Sequence, residues 1–277
     1  MIREYIVPCK INLGLEVLLK RADGYHELNT VFYRVMEPHD RITITESEYF
    51  RFTCSDSSLA TNDNLIMRAT TAWRSHFGRE LPNIHVHLDK RIPMGAGLGG
   101  GSSDAATMLQ ILNEEDAIAD EEMLKIASST GADVPFFVNN SKAAIASGIG
   151  ELLTPIELEL HASILIVFDP SIHVSTKEAY AGLQLAPQSI ASNYEGLFKN
   201  IKSLDDLDGA LRNDFEASIF AKHPKLARVK QQLYDRGASV ALMSGSGSAV
   251  FGLFESEEMA SDAKKAFVAE GLAAFLS

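Results

Sequence analysis

A glycine-rich loop that leads into a helix-compatible segment constrains this 277-residue chain most strongly. Residues 93–104 hold five glycines and two serines, and residues 105–112 continue with helix-forming and apolar side chains. Glycine lets a backbone turn tightly and present bare N–H groups to a ligand. The start of a helix adds unpaired N–H groups and a partial positive charge. The sequence therefore predicts a cradle for phosphate oxygens at this loop.

The composition is that of a globular protein, and it narrows the classes of partner. Hydrophobic residues make up 46% of the chain and charged residues 22%, which is ordinary for a soluble domain. The formal net charge of −12 argues against nucleic-acid and acidic-membrane binders, because both need a basic face. No apolar run is long enough to span a bilayer, and the N-terminus has no secretory pattern. We expect a cytoplasmic protein with neither nucleic acid nor a membrane as partner, and its oligomeric state stays open.

Neither the cysteines nor the paired histidines form a metal-site pattern. Cys9 and Cys54 lack disulfide and metal-ligand spacing, so we expect buried small hydrophobes in a reducing compartment. His85 and His87 alternate with apolar residues, which predicts that both lie on the exposed face of a strand.

Strand and helix patterns alternate along the chain, as in an α+β protein. A first strand is predicted at 11–19, and 28–35 is expected to return as its hairpin partner. The other predicted strands are 41–45, 84–88, 143–147, 163–168, 239–243 and 249–254, and the predicted helices are 64–77, the segment after the glycine loop, 121–128, 176–183, several within 201–236, and 257–269. The pattern resets near Pro155, which predicts domains at 1–155 and 156–277.

Three other nucleotide-binding patterns do not fit the loop. Gly95-x-Gly97-x-x-Gly100 matches the dinucleotide fingerprint formally, but Pro93 intervenes after the strand and the region near Asp120 is helical in pattern. No Lys-Ser/Thr pair follows the final glycine, which excludes a Walker A loop. The His-Arg-Asp and Asp-Phe-Gly motifs of protein kinases are absent. A plain connector would not need so many glycines, because each costs conformational entropy.

Three segments resemble the three motifs of the GHMP small-molecule kinases, in the same order and with spacing that covers nearly the whole chain. They are 8–13 (PCKINL), 93–106 and 244–248 (SGSGS). A narrower likeness, to the members that act on a cytidine diphosphate-linked substrate, rests on 20–27 (KRADGYHE), 63–65 (DNL), 131–137 (GADVPFF) and 213–216 (NDFE). One motif alone is weak evidence, whereas several in register are specific.

The resemblance implies the fold and the reaction. The expected fold is the two-domain α+β GHMP kinase fold, with a ribosomal-protein-S5-domain-2-like N-terminal domain and a ferredoxin-like C-terminal domain. The implied reaction is ATP-dependent phosphorylation of the 2-hydroxyl of methylerythritol linked to cytidine diphosphate, in non-mevalonate isoprenoid precursor biosynthesis. Mg²⁺ is expected because it accompanies ATP, and Ser103 is the best candidate for a protein ligand that otherwise stays unassigned.

Matching motif positions also imply the residues of the transfer step. Asp133 would take the hydroxyl proton as the base, and Lys10 beside it would keep that aspartate ionised and attract the phosphoryl group. Read alone, Asp133 is a turn or N-cap residue and Lys10 is a solvated lysine at a strand end. Ser102 and Ser103 stand where the helix is expected to start, so they are candidates for N-caps and for contacts to phosphate or its Mg²⁺, and one serine can fill both roles. The implied ATP-binding set is Asn64, Leu65, Lys90, Pro93, Met94, Gly95, Ala96, Gly97, Leu98, Gly99, Gly100, Gly101, Ser102 and Ser103.

The same likeness implies the acceptor site. Tyr25 would stack on the cytosine and His26 would hydrogen-bond its edge. Tyr180 matches the second aromatic that sandwiches the base, although a helix-core position explains it nearly as well. Asn12 would hydrogen-bond the acceptor near its reacting hydroxyl, and Thr176 belongs to the same substrate-binding set.

Two rival functions stay open at this point. Another GHMP kinase, acting on homoserine or a mevalonate derivative, would not need the Tyr25–His26 pair. A non-catalytic nucleotide-binding module of this fold would be expected to lose Lys10 or Asp133, and this chain has both. The residues 244–248 read locally as a turn between strands, and the resemblance implies that they close over the substrate.

Overall fold

The computed structural model describes residues 2–114, 118–183 and 190–277. Contacts divide the chain into two compact units, and neither is continuous in sequence. Unit 1 contains Met1–Cys9, Pro38–Ile92 and Gly99–Ser141, and unit 2 contains Lys10–Glu37, Pro93–Leu98 and Lys142–Ser277. The predicted domains 1–155 and 156–277 assume a single crossing, whereas the chain passes between these units several times. The boundary at 155 stays a prediction.

Strands and helices alternate throughout the described residues. The strands are β1 (Arg3–Lys20), β2 (His26–Glu46), β3 (Arg51–Cys54), β4 (Ile84–Asp89), β5 (Ala143–Gly148), β6 (Leu152–Ile156), β7 (Ser163–Phe168), β8 (Val240–Met243), β9 (Val250–Phe254) and β10 (Ala273–Leu276). The α-helices are α1 (Leu65–Phe77), α2 (Gly100–Asn113), α3 (Asp120–Thr130), α4 (Val134–Val138), α5 (Thr176–Ala181), α6 (Tyr194–Asn200), α7 (Glu216–Lys222), α8 (Pro224–Asp235) and α9 (Glu257–Ala269).

Unit 1 combines a short sheet with four helices. The second half of β2 pairs antiparallel with β4 from Arg41 opposite Asp89 onward, and β3 pairs parallel with β4. Helix α1 packs on α2 and α3, and α2 and α3 both pack on α4. Ile66, Ala69 and Trp73 are buried on α1, at the helical spacing that the sequence predicts. This packing fixes the helix that follows the glycine loop.

Unit 2 contains a four-stranded antiparallel sheet in the order β10-β7-β9-β8. Helices separate β7 from β8 and β9 from β10, and α8 and α9 pack on the sheet. This βαββαβ arrangement is ferredoxin-like, as the sequence predicts. Leu15 and Val17 of β1 join its buried core with Phe254 and Phe267. Elsewhere in the unit, the first half of β2 pairs with β5, and β5 pairs with β6.

The structure confirms most predicted elements and corrects several. β1 pairs with β2, but the runs 28–35 and 41–45 form one continuous strand that passes through Pro38. His85 and His87 are half-buried rather than exposed, and both bond to the Thr53 hydroxyl. The short elements β3, β6, β10, α4 and α6 were not predicted, because four to seven residues carry too little periodicity.

The partner and location expectations from the sequence are tested only in part. None of the helices in the described residues is long and apolar enough to cross a membrane. The expected cytoplasmic location and the absence of a nucleic-acid partner stay predictions.

Candidate active site

Gly95, Gly97 and Gly99 of the glycine loop all have positive φ angles, and the last two decide the path of the loop. Gly97 has φ +75°, and a Cβ built on it would lie 2.0 Å from the carbonyl oxygen of Ser244, so a side chain does not fit there. Gly99 has φ +68° and occupies the N-cap of α2, where no side chain caps the helix. The first N–H groups of α2 therefore lack a side-chain cap and suit an anion. The loop is shared between the units, with Pro93–Leu98 in unit 2 and the rest in unit 1.

The two serines of the loop lie inside α2 rather than at its cap. The N-cap reading of Ser102 and Ser103 is therefore wrong, because glycine takes the left-handed N-cap position. The Ser103 side chain is buried, and its hydroxyl finds no hydrogen-bond partner in the part of the chain that the structure describes. A buried hydroxyl usually has a partner, so Ser103 fits a phosphate oxygen or Mg²⁺. Among the described residues, no group of three His, Cys, Asp or Glu could hold a metal.

Lys10 and Asn12 form a buried polar network on β1. The Lys10 ammonium donates to Asn12 Oδ1 at 2.6 Å and lies 4.9 Å from the centroid of the Phe32 ring. Asn12 Nδ2 donates to the Thr30 hydroxyl at 2.8 Å, and that hydroxyl donates to the Gly14 carbonyl at 2.6 Å. Lys10 is therefore not the solvated lysine of the alternative reading.

The same strand is tied to the glycine loop within unit 2. The Lys10 N–H donates to the Leu98 carbonyl at 2.9 Å. The Asn12 N–H donates to the Ser244 hydroxyl at 3.3 Å, which donates to the Gly97 carbonyl at 2.9 Å. These bonds bring three predicted motifs together: the Lys10 segment, the first half of the glycine loop and the residues 244–248.

Asp133 lies at the start of α4 in unit 1. Its backbone takes the N-cap position with φ −85°, but its side chain does not cap the helix. The residue is half-buried. Just before it, a Cβ on Gly131 would lie 4.0 Å from the Ser102 hydroxyl, which places this turn beside the second half of the glycine loop. The predicted pairing of Lys10 with Asp133 joins different units and stays a prediction.

An aromatic cluster contains two of the predicted acceptor-binding side chains. The rings of His26 and Tyr180 stack with their centroids 4.7 Å apart and an interplanar angle of 25°. Phe215 meets the Tyr180 ring edge-on at 4.9 Å. Tyr25 is 60% exposed, and Thr176 is the first residue of α5. Tyr180 is half-buried between these two rings and also packs against the hydrophobic core of unit 2, so both interpretations of this residue stay open.

The surroundings of His26 favour its neutral form. Burial lowers the pKa of its imidazole, and the charge of Lys20 lowers that pKa further. A neutral imidazole offers one donor and one acceptor. It can therefore donate a hydrogen bond to the edge of a nucleobase or accept one from it.

The sequence motif 213–216 supports both the aromatic cluster and the residues 244–248. Asn213 Nδ2 donates to the carbonyls of Met243 and Gly245 at 2.7 and 2.8 Å. The Glu216 carboxylate accepts from the Met243 N–H at 2.8 Å. Because Phe215 contacts Tyr180, one short segment positions the turn after β8 and the ring under His26.

The side chains predicted to contact adenosine have partners within unit 1. Asn64 caps α1, accepting from the Ile66 N–H at 2.9 Å. The Lys90 ammonium donates to the buried carboxylates of Asp40 and Asp104 at 2.5 and 2.8 Å. Leu65 begins α1, and its side chain lies 3.3 Å from a Cβ built on Gly101. Asn64 and Lys90 thus hold this end of the unit, and their contact with ATP stays a prediction.

Thr30 and Asp40 are the polar residues of the site region that sequence reasoning missed. Both lie on β2 among alternating polar and apolar residues, and both are buried. A buried polar residue on a strand is a signal, since such groups need partners. The identity of those partners is visible only in the folded chain.

Comparison with known proteins identifies the family. The models for the GHMP kinase N-terminal and C-terminal domains match residues 64–141 and 189–273. The 4-diphosphocytidyl-2-C-methyl-D-erythritol kinase of Solidesulfovibrio magneticus is 42% identical, over 98% of this chain and 95% of the relative. The enzyme of the same name from Porphyromonas gingivalis is 42% identical, over 88% and 89%.

Solved structures agree with this assignment. A crystal structure of 4-(cytidine 5′-diphospho)-2C-methyl-D-erythritol kinase matches with TM-score 0.82 and 33% identity, over 99% of both chains. A homoserine kinase from Cytophaga hutchinsonii matches with TM-score 0.69 and 18% identity, over 99% and 93%, which shows a shared fold. The chain therefore belongs to the GHMP kinases, in the group of the 4-diphosphocytidyl-2-C-methyl-D-erythritol kinases, and is an enzyme that uses ATP to phosphorylate a small molecule.

Proposed function

We propose that this kinase phosphorylates the 2-hydroxyl of 4-diphosphocytidyl-2-C-methyl-D-erythritol, giving the 2-phosphate and ADP. The names of its relatives support this acceptor. The observation that carries it is the stack of His26 on Tyr180 at 4.7 Å, with Tyr25 exposed beside His26 in the chain. Aromatic faces of this kind suit an unpaired nucleobase. Homoserine and mevalonate have no ring that would need them.

In the proposed transfer, Asp133 accepts the proton of the 2-hydroxyl as its oxygen attacks the γ-phosphorus of ATP. The bond between that phosphorus and the bridging oxygen of ADP breaks, and ADP leaves. Lys10 offers positive charge to the migrating phosphoryl group. Its ammonium is oriented by Asn12 Oδ1 at 2.6 Å, so its position does not depend on solvent.

The glycine loop is proposed to hold the phosphates of ATP. The uncapped N–H groups at the start of α2 would donate to phosphate oxygens. Mg²⁺, when bound with ATP, shields the phosphate charge. The hydroxyl of Ser103, buried and without a protein partner in the described residues, is the group proposed to face that ion or a phosphate oxygen.

Acceptor specificity is proposed to lie with the aromatic cluster. Tyr25 would stack on one face of the cytosine, and His26 would bond to its edge while Tyr180 supports it. Asn12 would contact the acceptor near its reacting hydroxyl, and Thr176 would contribute from the start of α5. The residues 244–248 would complete the site, held in place by Asn213.

A coupled ADP-release assay with three acceptors tests the proposal. Wild-type enzyme is incubated with ATP, Mg²⁺ and 4-diphosphocytidyl-2-C-methyl-D-erythritol, homoserine or mevalonate, and phosphorus NMR locates the new phosphate. We expect turnover with the first acceptor alone and a phosphate on its 2-oxygen. Faster release of ADP with homoserine or mevalonate would overturn the acceptor assignment.

The base is tested separately. Asp133→Asn should abolish turnover while ATP binding stays nearly intact, because the amide keeps the shape and cannot take the proton. ATP affinity is measured by calorimetry in the same preparations. Turnover equal to that of the wild type would remove Asp133 as the base.

A further inference from the structure

Three hydrogen bonds link the Lys10 ammonium to a backbone carbonyl through Asn12 and Thr30. Lys10 Nζ donates to Asn12 Oδ1 at 2.6 Å, and Asn12 Nδ2 donates to Thr30 Oγ1 at 2.8 Å. Thr30 Oγ1 then donates to the Gly14 carbonyl oxygen at 2.6 Å. All of these groups lie in unit 2.

The direction of every bond in this chain is fixed by its two ends. An ammonium can only donate, so the atom of Asn12 that faces it must be the amide oxygen. A carbonyl oxygen can only accept, so the Thr30 hydroxyl must donate its proton to the Gly14 carbonyl oxygen and direct a lone pair toward Asn12. That lone pair receives the Asn12 amide nitrogen. The carbonyl of Gly14 thus sets, through one hydroxyl, which way the Asn12 amide points.

Burial makes Thr30 necessary to this arrangement. Lys10, Asn12 and Thr30 are 4%, 2% and 1% exposed. Bulk water therefore does not reach the Asn12 amide to replace a lost partner, and an unpaired buried amide is costly. Without the hydroxyl, the Asn12 side chain would turn to find another acceptor and withdraw its oxygen from Lys10.

We propose that Thr30 is a positioning residue for phosphoryl transfer: its hydroxyl orients the Asn12 amide, which in turn places the Lys10 ammonium. This inference rests on the proposed roles of Lys10 and Asn12. Thr30 itself need not touch ATP or the acceptor. Its effect is expected in the chemical step and in acceptor binding, and not in the binding of ATP.

Two pairs of variants isolate the hydroxyl. Thr30→Val replaces the hydroxyl with a methyl group of similar size, to be compared with the wild type. Thr30→Ser and Thr30→Ala form the second pair, because both lack the threonine methyl and differ only in the hydroxyl. The second pair also keeps the test valid if Thr30→Val fails to fold. Each protein is assayed for kcat, for KM of ATP and of the acceptor, and for its thermal unfolding midpoint.

We expect the variants without a hydroxyl to lose about 10- to 100-fold in kcat, the size of loss seen when a group that orients a metal ligand is removed. Thr30→Ser should stay close to the wild type, and KM for ATP should be unchanged in every variant. A folded Thr30→Val enzyme with wild-type kcat would overturn the proposal. So would a loss in Thr30→Ser equal to that in Thr30→Ala.

A failure of the Thr30 proposal can be told apart from a failure of the proposed function. The comparison uses whichever acceptor the wild type phosphorylates, so a different acceptor changes the substrate assignment and leaves the Thr30 test intact. A general loss of folding would lower the unfolding midpoint toward the assay temperature and reduce the folded fraction seen by circular dichroism, so kcat is expressed per folded enzyme. A positioning effect lowers kcat at unchanged KM for ATP.

Discussion

Replacing Lys90 with methionine is expected to destabilise unit 1 strongly. The ammonium of Lys90 donates to Asp40 at 2.5 Å and to Asp104 at 2.8 Å, and the three side chains are 10%, 0% and 3% exposed. Asp40 also accepts from the backbone N–H groups of Arg91 and Ile92. The cluster therefore joins β2, the segment before the glycine loop and the second turn of α2. Methionine keeps most of the length and removes the charge.

The magnitude follows from the bonds that are lost. A hydrogen bond to a charged group contributes about 1.5–3 kcal/mol, and Lys90 makes two of them. Removing one partner from a buried ion pair costs about 3–5 kcal/mol, because the remaining charge is left without compensation. Burial raises the pKa of Asp104 to about 8, so this carboxyl is already largely protonated at pH 7 and the loss falls mainly on the contact with Asp40. We therefore expect Lys90→Met to lower the free energy of unfolding at pH 7 by about 3–4 kcal/mol.

Urea unfolding followed by circular dichroism measures this difference. Lys125→Met is the matched control, since Lys125 pairs with Glu121 at 2.8 Å on the surface of α3, with side chains 63% and 82% exposed. An exposed pair of this kind contributes little, so the control should match the wild type. If Lys90→Met were no less stable than the control, the reasoning about the buried cluster would be refuted.

Three further predictions concern single side chains. Burial, together with the charge of Asp40, raises the pKa of Asp104 from 3.8 to about 8, and the charge of Lys90 opposes the rise. The native state therefore holds this proton more tightly than the unfolded state does. The free energy of unfolding should then fall as the pH rises from about 4 through about 8. Asp104→Asn should flatten this fall in a series of urea unfolding curves, and an unchanged slope would contradict the assignment. Asn213→Ala should cost about 2–3 kcal/mol in the same assay and raise KM for the acceptor, while the exposed Asn200→Ala should do neither. Tyr25→Ala should weaken the cytidyl acceptor by about 1–3 kcal/mol as measured by calorimetry, and a loss of affinity for ATP alone would reverse the two sites.

The sequence predicted the parts of the site that depend on local chemistry. The glycine loop, its helix and the Lys10 segment are visible as motifs, because their function requires particular residues at fixed spacing. The motif at 213–216 was also visible, but its role was not. That role depends on Asn213 meeting carbonyls 30 and 32 residues away.

The parts that escaped prediction depend on distant partners or on backbone angles. Ser102 and Ser103 were candidates for the N-cap, yet Gly99 takes it because the chain enters α2 in the left-handed region. β2 continues through Pro38, where a pattern of side chains suggests a break. Thr30 meets Asn12 only across 18 residues of sequence, and no local rule predicts that bond.

The approach of Gly97 to Ser244 has a consequence for anyone who redesigns this enzyme. A Cβ at Gly97 would lie 2.0 Å from the Ser244 carbonyl oxygen, so the two backbone segments are in direct contact and neither can shift without the other. Insertions or deletions in residues 244–248 would move the glycine loop as well, so a library meant to alter the acceptor would also disturb the proposed ATP-binding site. Mutagenesis for new acceptors should therefore keep the length of this turn fixed. Sequence diversity in such a library is better placed at the aromatic side chains.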